Sequence, residues 1–430
     1  MDVIIAGGGL SGLAAAVALA QHGFEVELFE AKPFTGGRAT SYQIPNSEEE
    51  IDNCQHILLR CCVNLLDFYQ RMGVQDAIEF HREFRFMEPG GRTSLWKRGI
   101  LPAPAHFTGA FAAAQWLSWA DKFALAQAML AVMSERKTRR DLDQISMLDW
   151  LKSHGQTDRV IERFWRQVLV SAINVELDEM AAAHGFQVIW LGFLAASNSY
   201  EMGVSKIPLG QLYSQPIPNA TLHTKAPVSA LDPANARLES NGQWYTARAL
   251  ISALPSDKLQ PLVPDLRINY DAFIPSSIIG IHLWFDRPVT DLPHGTLLER
   301  QIQWFFNKGE GKYLMLVISA ADKILRQSPK DLVDMAIKEL AEFLPAVNQA
   351  QLVKHHVVKE PKATYRAKPG LEALRPTATT PYPSFFLAGD WTKTGWPSTM
   401  EGAVRGGYLA AEAVAKHLGR PAKFLLPDIA

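Results

Sequence analysis

A glycine-rich turn near the N-terminus restricts the fold more than any other feature of this sequence. Residues 2–6 (DVIIA) predict a short buried strand, the run GGGLSG follows at 7–12, and an apolar helical pattern extends over 10–21. Gly23 ends that helix, and residues 25–30 (EVELFE) alternate as a second strand. A strand, a helix and a second strand in this order predict a β-α-β unit and the beginning of a parallel sheet.

The spacing of the glycines in this turn is typical of dinucleotide binding. Gly7 permits a tight turn, Gly9 lets the backbone approach a pyrophosphate, and Gly12 allows the helix to pack closely on the sheet. The helix begins at Leu10 and Ser11, where free N–H groups and the positive end of the helix dipole favour phosphates. We therefore predict that these five residues hold the pyrophosphate of a dinucleotide.

Two further features extend this nucleotide-binding half. Glu30 ends the second strand and is followed by Ala31; a carboxylate at this place accepts hydrogen bonds from a ribose and disfavours a 2′-phosphate. Gly36 and Gly37 let the backbone approach a ligand, and the planar guanidinium of Arg38 can clamp a phosphate. We expect Glu30, Ala31, Gly37 and Arg38 to contact the nucleotide.

A second glycine turn occurs more than 350 residues later. Gly389 and Asp390 follow a predicted strand, which places the carboxylate to accept a hydrogen bond from a ribitol hydroxyl. Thr399 and Met400 open the last predicted helix, and Ala403 lies in its first turn. The N–H groups of such a helix can polarise a flavin carbonyl and favour negative charge on the reduced ring. This run predicts the flavin end of a split FAD site.

The composition is that of a globular protein with two or three domains. The 430 residues are too many for one simple core, and 47% of them are hydrophobic. A formal net charge of −1 argues against a nucleic-acid-binding protein, which normally carries a basic excess. Cys54, Cys61 and Cys62 form neither a disulfide framework nor a paired metal-ligand pattern, and we predict no metal site.

One apolar segment, residues 107–132, contains only two charges, Asp121 and Lys122. They lie near its middle and exclude an ordinary membrane span, so we expect a buried or surface-lying pair of helices. The apolar run at the N-terminus is interrupted by glycines and does not predict a signal peptide. We predict a cytoplasmic protein attached peripherally to the inner face of the membrane through 107–132.

Three stretches resemble the amine oxidase and phytoene desaturase superfamily of FAD enzymes: VIIAGGGLSGL, GGRATS and the terminal FLAGDWT with MEGAVRGG. Within that superfamily, DNCQH (52–56), KEPKATYRAKPG (359–370) and GDWTKTGWPSTMEGA (389–403) resemble the branch of hydroxysqualene dehydroxylases. Cys54 departs from the glycine expected in the first of these patterns, which argues against a tight backbone approach at that point.

The resemblance implies an α/β fold with a Rossmann-like FAD-binding domain and an interleaved α+β substrate domain. It implies FAD bound non-covalently, because the segment GWPSTM has no cysteine where some amine oxidases tether the ring. It also implies that backbone around Val228 contacts the adenine end. The expected FAD-binding segments are 1–85, 205–262 and 375–422, and the expected substrate-binding segments are 86–204 and 263–374, mostly helical over 107–200.

The reaction implied by the branch is the reductive conversion of hydroxysqualene to squalene. An acid must protonate the leaving hydroxyl, and a hydride from reduced FAD then reaches the allylic cation. A thirty-carbon isoprenoid substrate also requires a dry, apolar tunnel. His56 is the first candidate for the acid, with Asp52 and Glu401 behind it. The sequence contains no second dinucleotide turn, so NAD(P)H would bind transiently or another donor would reduce the flavin.

Three other functions remain open at this point. A polyene desaturase of the phytoene or carotenoid type would use the same scaffold with hydride transfer in the opposite direction. An amine oxidase would need a small aromatic cage around its substrate. A non-enzymatic flavoprotein would bind FAD and form no product. For the dehydroxylase, neighbouring enzymes of squalene synthesis are expected partners.

Overall fold

Two large sheets organise this chain, which the computed structural model describes at residues 1–45 and 47–429. One sheet is parallel, the other is almost entirely antiparallel, and helices cover both. The predicted α/β class is therefore confirmed.

The parallel sheet joins strands that are far apart in the sequence. From edge to edge it consists of β10 (Ala220–His223), β2 (Val26–Phe29), β1 (Val3–Ala6), β14 (Ala249–Ser252) and β20 (Phe385–Leu387). The two strands β1 and β14 are buried along their whole length, which explains their uninterrupted apolar sequences. Because all five strands run parallel, the turns after β1 and β20 lie at the same edge of the sheet.

Helix α1 (Leu10–Gln21) packs directly against the last helix, α12 (Met400–His417). A Cβ atom on Gly407 would lie 2.3 Å from the carbonyl oxygen of Ser11. No side chain fits at that distance, so glycine is required for this contact between the beginning and the end of the fold.

The second sheet has seven strands. Its order is β19 (Leu352–Tyr365), β15 (Pro275–Phe285), β18 (Tyr313–Ser319), β17 (Trp304–Gly309), β16 (His294–Leu297), β7 (Phe84–Met87) and β8 (Thr93–Trp96). Helix α11 (Pro329–Phe343) covers one face with Leu332, Ala336 and Leu340, which recur at helical spacing. The opposite face meets the helical segment and the loop 53–56.

Three small sheets connect these layers. They are β3 (Ser41–Gln43) with β4 (Glu50–Asp52); β5 (Ile57–Leu59), β9 (Met202–Ser205) and β6 (Ile78–His81); and β11 (Val228–Asp232), β12 (Arg237–Ser240) and β13 (Gln243–Thr246).

The remaining helices lie mostly between residues 108 and 194. They are α2 (Val63–Arg71), α3 (Thr108–Ala113), α4 (Trp119–Glu135), α5 (Met147–Ser153), α6 (Asp158–Val160), α7 (Gln167–Ile173), α8 (Ala182–Ile189), α9 (Leu209–Tyr213) and α10 (Ser256–Leu259). Wider π-type turns follow α6 at 161–166 and α8 at 190–194. Among the described residues, no helix combines the length and apolar character needed to cross a bilayer.

Between about 86 and 204 the sequence predicts mostly helix and few strands, and this prediction was wrong at the beginning of the segment. Strands β7 and β8 form a hairpin at 84–96 and extend the second sheet at its edge. Their segments, FRFM and TSLW, are too short for alternation to separate a strand from a helix.

Candidate functional site

The two glycine turns of the N-terminal half lie against each other at the carboxyl end of β1. The amide of Gly36 donates to the carbonyl oxygen of Gly8 at 2.8 Å. Gly37 has φ +66°, and a Cβ atom placed on it would lie 3.0 Å from the Cα of Gly9. Gly12 is tighter still, because its Cβ would lie 1.9 Å from the carbonyl oxygen of Gly7. The predicted roles of Gly7 and Gly12 in a tight turn agree with this packing.

The N-terminus of α1 has no side-chain cap. Gly9 occupies the cap position in an extended conformation, and no acidic residue lies in the first turn, which begins at Leu10. The first amides of the helix therefore lack a partner within the helix. The nearest atom to a Cβ on Gly9 would be the Cα of Gly37, at 3.8 Å, so the backbone is open to a ligand on that side. These donors fit a pyrophosphate.

Glu30 holds the glycine turn in place. Its carboxylate accepts hydrogen bonds from the amides of Gly8 and Lys32, both at 2.8 Å. Its carbonyl oxygen accepts from the amide of Ala226, two residues before Val228 begins β11. The structure thus brings Glu30, Ala31 and Val228 together near the nucleotide end, as a shared adenosine site would require.

Arg38 and Asp390 form an ion pair across the split site. The guanidinium Nη2 of Arg38 lies 2.6 Å from a carboxylate oxygen of Asp390, and Ser398 donates a hydrogen bond to the other oxygen. Burial would raise the pKa of Asp390, but the charge of Arg38, these hydrogen bonds and the charge of Arg375 lower it below the ordinary value. Arg38 is thus paired with the residue predicted to hold the ribitol, and its contact with a phosphate stays a prediction.

The first turns of α1 and α12 meet at this point. The hydroxyl of Ser11 donates to the carbonyl oxygen of Ala403 at 2.5 Å. Thr399 caps α12 by accepting from the amide of Gly402 at 3.1 Å, and the sulfur of Met400 lies 3.9 Å from the hydroxyl of Tyr213. The pyrophosphate end and the flavin end of the predicted site are therefore one continuous structure.

Two residues that sequence reasoning missed fix the turn at Asp390. Arg375 is buried and donates to the carbonyl oxygens of Asp390 at 2.9 Å and Trp396 at 2.7 Å. The hydroxyl of Tyr365 also donates to the carbonyl of Asp390, at 2.9 Å. Tyr365 lies within a motif that the resemblance singled out, but Arg375 is an isolated arginine before a proline and gives no sequence signal.

His56 belongs to the same hydrogen-bonded chain. Its Nε2 lies 3.1 Å from the side-chain oxygen of Asn53, whose amide nitrogen donates to the carbonyl of Arg38 at 2.7 Å. Burial, together with the positive charges of Arg38 and Lys308, lowers the pKa of His56 to about 4, although Asp52 acts to raise it. The imidazole is therefore neutral near neutral pH and is a weak proton donor.

The other two candidate acids are engaged in holding the backbone. Asp52 accepts from the hydroxyl of Ser41 at 2.7 Å and from the amide of Leu209 at 2.9 Å. Glu401 is buried and accepts from the amide of Leu65 at 2.7 Å, at the beginning of α2. Burial raises the pKa of Glu401 to about 7 even though these hydrogen bonds oppose it. Glu401 therefore caps α2 from a distant part of the chain, and its role as a proton donor stays a prediction.

The loop 53–56 rests on the second sheet at β15. A Cβ on Gly280 would lie 3.1 Å from the sulfur of Cys54 and 3.2 Å from the carbonyl oxygen of Asn53. Gly280 therefore lets the loop lie close to β15, whereas the effect of Cys54 on a backbone approach within the loop itself stays a prediction. Lys308 of β17 reaches the same loop, with its Nζ 3.2 Å from the side-chain oxygen of Gln55 and 3.7 Å from Asp52.

A row of side chains crosses this face of the sheet. His294, Phe306, Met315 and His282 are direct partners on the four neighbouring strands, so their side chains share one face. Both histidines are fully buried. The Nδ1 of His282 lies 2.7 Å from the hydroxyl of Tyr313, but its Nε2 and both ring nitrogens of His294 have no hydrogen-bond partner among residues 1–45 and 47–429. Burial lowers the pKa of each of the two histidines to about 3.

Replacing Asp390 with alanine is expected to weaken FAD binding. The change removes a charge-assisted hydrogen-bond acceptor and leaves Arg38 and the buried Ser398 without their partner, which costs about 1–3 kcal/mol. Flavin fluorescence on dilution measures the dissociation constant, and Asp257→Ala, at an exposed ion pair with Lys362, is the control. If Asp390→Ala bound FAD as tightly as the control does, the result would contradict the placement of Asp390 in the cofactor site.

The chain resembles known flavoproteins along most of its length. The sequence profile of the family described as "Flavin containing amine oxidoreductase" matches residues 10–415. A 15-cis-phytoene desaturase of chloroplasts or chromoplasts from an Oncidium hybrid cultivar is 27% identical, over 97% of this chain and 78% of its own length. A probable zeta-carotene desaturase from Synechococcus elongatus is 25% identical, over 96% of this chain and 98% of its own length.

A solved structure shares the same fold. Wild-type putrescine oxidase bound to putrescine matches with a TM-score of 0.72 at 15% identity, covering 97% of this chain and 99% of its own. At this identity the likeness concerns the fold alone. The matched region of the family profile includes the second glycine turn and most of α12, so it spans both halves of the site.

Proposed function

This chain belongs to the family of flavin-containing amine oxidoreductases, and on that premise we propose that it is an FAD-dependent enzyme that acts on a long isoprenoid chain. The reaction that we propose is the reductive removal of the hydroxyl of hydroxysqualene, which gives squalene and water. Bound without a covalent link in its reduced form, FAD would supply the hydride that replaces the hydroxyl.

The observation that carries this choice is the row of buried histidines. A hydrocarbon substrate has no group that could bond to the free ring nitrogens of His282 and His294, and a buried polar atom without a partner costs about 1–3 kcal/mol. A hydroxylated isoprenoid offers one donor and two acceptors for such atoms. Phe306 and Met315, between the two histidines, provide the apolar surface that the rest of the chain needs.

His282 is the histidine that we assign to the hydroxyl. It lies on the same strand and the same face as Gly280, which contacts the loop of His56. That loop is linked to Asp390 through Asn53 and Arg38, and this chain of contacts supports our proposal that His282 faces the flavin end of the site. His294 is three strands away, roughly 14 Å at the usual strand spacing, and would face a more distant part of the substrate.

For the proton we propose Lys308 in place of His56. With a pKa of about 4, only about one His56 in a thousand is protonated at pH 7. Lys308 is a cation that is paired with Asp52 at 3.7 Å and bonded to Gln55, and it approaches the loop from the sheet face that carries His282. Asp52 positions Lys308 in this proposal, and His56 orders the loop through Asn53.

The second candidate function is a polyene desaturase, and the relatives described above favour it. Both curated relatives described above are carotene-type desaturases, although their identity to this chain is only 27% and 25%. Such an enzyme would take a hydride from a hydrocarbon and would have no hydroxyl for His282 to bind. An amine oxidase is the third candidate, and the fold likeness to putrescine oxidase adds nothing to it beyond the scaffold.

One experiment separates these reactions. The purified yellow protein is reduced anaerobically and mixed with hydroxysqualene, and in a parallel sample the oxidised protein is mixed with phytoene. We expect squalene by gas chromatography, together with reoxidation of the flavin, in the first sample only. A desaturated product from phytoene and no squalene would establish the second candidate.

The role of His282 is tested with two substitutions. His282→Leu removes the hydrogen-bonding atoms and should lower kcat/KM for hydroxysqualene by about 100-fold, because a hydroxyl then enters a site without a partner. His282→Gln should restore part of the activity, since its amide can still bond to the hydroxyl. His355→Leu, on an exposed part of β19, is the control. Unchanged kinetics in His282→Leu would contradict the assignment.

The electron donor is a separate question. We propose that NAD(P)H or a reduced carrier reacts with the flavin transiently, because the sequence contains one dinucleotide turn and FAD would occupy it. Enzymes that make hydroxysqualene are the natural neighbours of this protein under the proposed reaction.

A further inference from the structure

The segment 99–133 exposes no charged side chain. Its two charges, Asp121 and Lys122, are buried. Asp121 closes a capping box with Ser118 at the beginning of α4, and Lys122 donates to the carbonyl oxygen of Ala112 at 2.6 Å. Asp121 and Lys122, whose charges argue against a membrane span in the sequence, therefore form hydrogen bonds inside the protein. They leave the surface of this segment without a charge.

Helix α4 buries apolar residues on its inner side, and its outer side is also mostly apolar, with Gln127 as an exposed polar residue. Its inner side buries Leu125 and Ala128 in the core. On its outer side Trp119, Phe123 and Leu130 are 77%, 67% and 65% exposed, and their spacing of four and seven residues places them along one stripe. A helix at a water-exposed surface normally carries polar residues on that side, so this stripe is adapted to something other than water.

The loop after β8 extends this surface. Ile100 is fully exposed and Leu101 is about half exposed, and the loop is closed by a hydrogen bond from the amide of Gly99 to the carbonyl of His106. Helix α3 follows directly, and the bond from Lys122 to Ala112 ties it to α4. The loop 99–104, α3 and α4 are therefore one connected surface, which we call the apolar surface. Large exposed apolar areas of this kind mark interaction sites.

Basic residues flank the apolar surface at both ends. Lys97 and Arg98 precede it, and Lys137 and Arg140 follow it; all four are exposed. Residues 97–140 contain seven lysines and arginines and two acidic residues, whereas the whole chain has a net charge of −1. One of the two acids is buried Asp121, and the other, Glu135, is paired with Arg139 and His154. Lys122 is buried and Arg139 is also paired with Asp141, so the charge that can attract anions is that of Lys97, Arg98, Lys137 and Arg140, which form no ion pair with the residues that the structure describes.

The inner side of the apolar surface leads to the sheet face of the site. Phe86 of β7 stacks on Trp116, with ring centroids 4.9 Å apart, between α3 and α4. The same core includes Trp304 and Phe306, which neighbour His294. Continuous apolar packing therefore joins the apolar surface to the face where we place the substrate.

We infer that the apolar surface is a docking surface for an anionic lipid bilayer, with α4 lying in the plane of the interface. Apolar side chains between basic flanks are the pattern that binds anionic membranes without crossing them. A second copy of the chain fits less well, because a symmetric contact through this surface would bring the basic flanks of the two copies together. The inference concerns binding alone and holds whichever isoprenoid reaction the enzyme catalyses.

The test is co-sedimentation of the FAD-loaded protein with vesicles, without substrate. The wild-type protein should bind vesicles of phosphatidylcholine and phosphatidylglycerol in equal parts, and binding should decrease at high salt and on vesicles of phosphatidylcholine alone. The double variant Trp119→Ser with Phe123→Ser should lose at least tenfold in vesicle affinity, because two large apolar side chains no longer enter the bilayer. Its flavin spectrum and melting temperature should stay unchanged.

Trp244→Ser is the matched control, since Trp244 is an exposed tryptophan on β13, outside this surface. Equal vesicle binding by the double variant and the control would overturn the inference. The inference would also be overturned if the wild-type protein did not bind vesicles. One such case is a wild-type protein that forms a dimer in sedimentation equilibrium while the double variant stays monomeric, because the apolar surface would then bind a second copy of the chain. Catalytic activity is not part of the readout, so failure of the proposed reaction would leave this result unaffected.

Discussion

Gly12→Ala is expected to give a protein that is unstable and colourless. The new Cβ would lie 1.9 Å from the carbonyl oxygen of Gly7 and 3.3 Å from the side chain of Ala253. Since the nearest obstacle is backbone, β1 and α1 must separate, and overpacking of this kind costs about 3 kcal/mol or more. That is a large part of the 5–15 kcal/mol that typically stabilises a domain. Urea unfolding followed by tryptophan fluorescence measures the loss.

Gly9→Ala should leave the stability of the protein unchanged and weaken its binding of FAD. Gly9 has φ −73° and an extended conformation that alanine adopts, and the nearest atom to its Cβ would be 3.8 Å away. The apoprotein should therefore unfold at the same urea concentration as the wild-type apoprotein. The added methyl group would occupy the side open to the pyrophosphate, and we expect FAD affinity to fall about 100-fold, or about 2.7 kcal/mol.

Gly109→Ala is the control for both changes. A Cβ at Gly109 would meet no atom within 4 Å, and alanine is favoured over glycine in a helix such as α3. Normal FAD binding in Gly9→Ala would contradict the placement of the pyrophosphate at this turn. Normal stability in Gly12→Ala would contradict the close contact between β1 and α1.

Stability is expected to decrease steeply as the pH falls from 6.5 to 5. Burial lowers the pKa of His184 to about 4 and those of His282 and His294 to about 3, from an ordinary value of 6.5. The unfolded chain therefore binds more protons than the folded chain in this window. The stability that these neutral histidines allow is complete above pH 6.5 and is lost progressively as the pH falls toward their folded pKa values.

Glu401 has the opposite effect on the pH dependence of stability. Its folded pKa of about 7 lies above the ordinary carboxyl value of 4.5, so the folded protein gains a proton, and stability, as the pH falls through this range. His56, whose pKa is also lowered to about 4 by burial, is a fourth histidine of this kind. Four histidines against one carboxyl leave a net difference of about three protons. At about 1.4 kcal/mol per proton and pH unit, the loss from pH 6.5 to 5 is at most about 6 kcal/mol.

Urea unfolding at pH 7.5, 6.5 and 5 measures this effect. His282→Gln should reduce the dependence on pH by up to one proton, because glutamine does not titrate. His417→Gln, at an exposed position near the end of α12, should leave the dependence unchanged. A free energy of unfolding that is constant between pH 6.5 and 5 would show that the four histidines are solvated or paired in solution.

The nucleotide half of the candidate site could be predicted because it depends on local chain geometry. The glycines at 7, 9 and 12 and the acid at 30 lie within one β-α-β unit, and the backbone needs of a turn and a helix start determine their spacing. Asp390 and Thr399 were predicted for the same reason, from a strand, a turn and a helix cap. The structure places both sets at one edge of the parallel sheet.

The catalytic half could not be predicted in this way. Gly280 packs against Cys54, and Lys308 bonds to Gln55; in each case the two residues are more than 200 positions apart in the chain. Hydrophobic periodicity in a sequence predicts local elements and gives no information about contacts over such distances. For a similar reason, only the tertiary structure reveals that Glu401 caps α2. The sequence also gave the charges Asp121 and Lys122 without showing that both are buried.

The arrangement of the parallel sheet has a consequence for biosynthesis. Strand β1 lies beside β14 and in the same sheet as β20, which is made some 380 residues after it. During synthesis the cofactor site is therefore incomplete until α12 has been made and its first turn can meet Ser11. We expect chains interrupted before Asp390 to bind no flavin, so that flavin binding separates them from chains that contain both halves of the site.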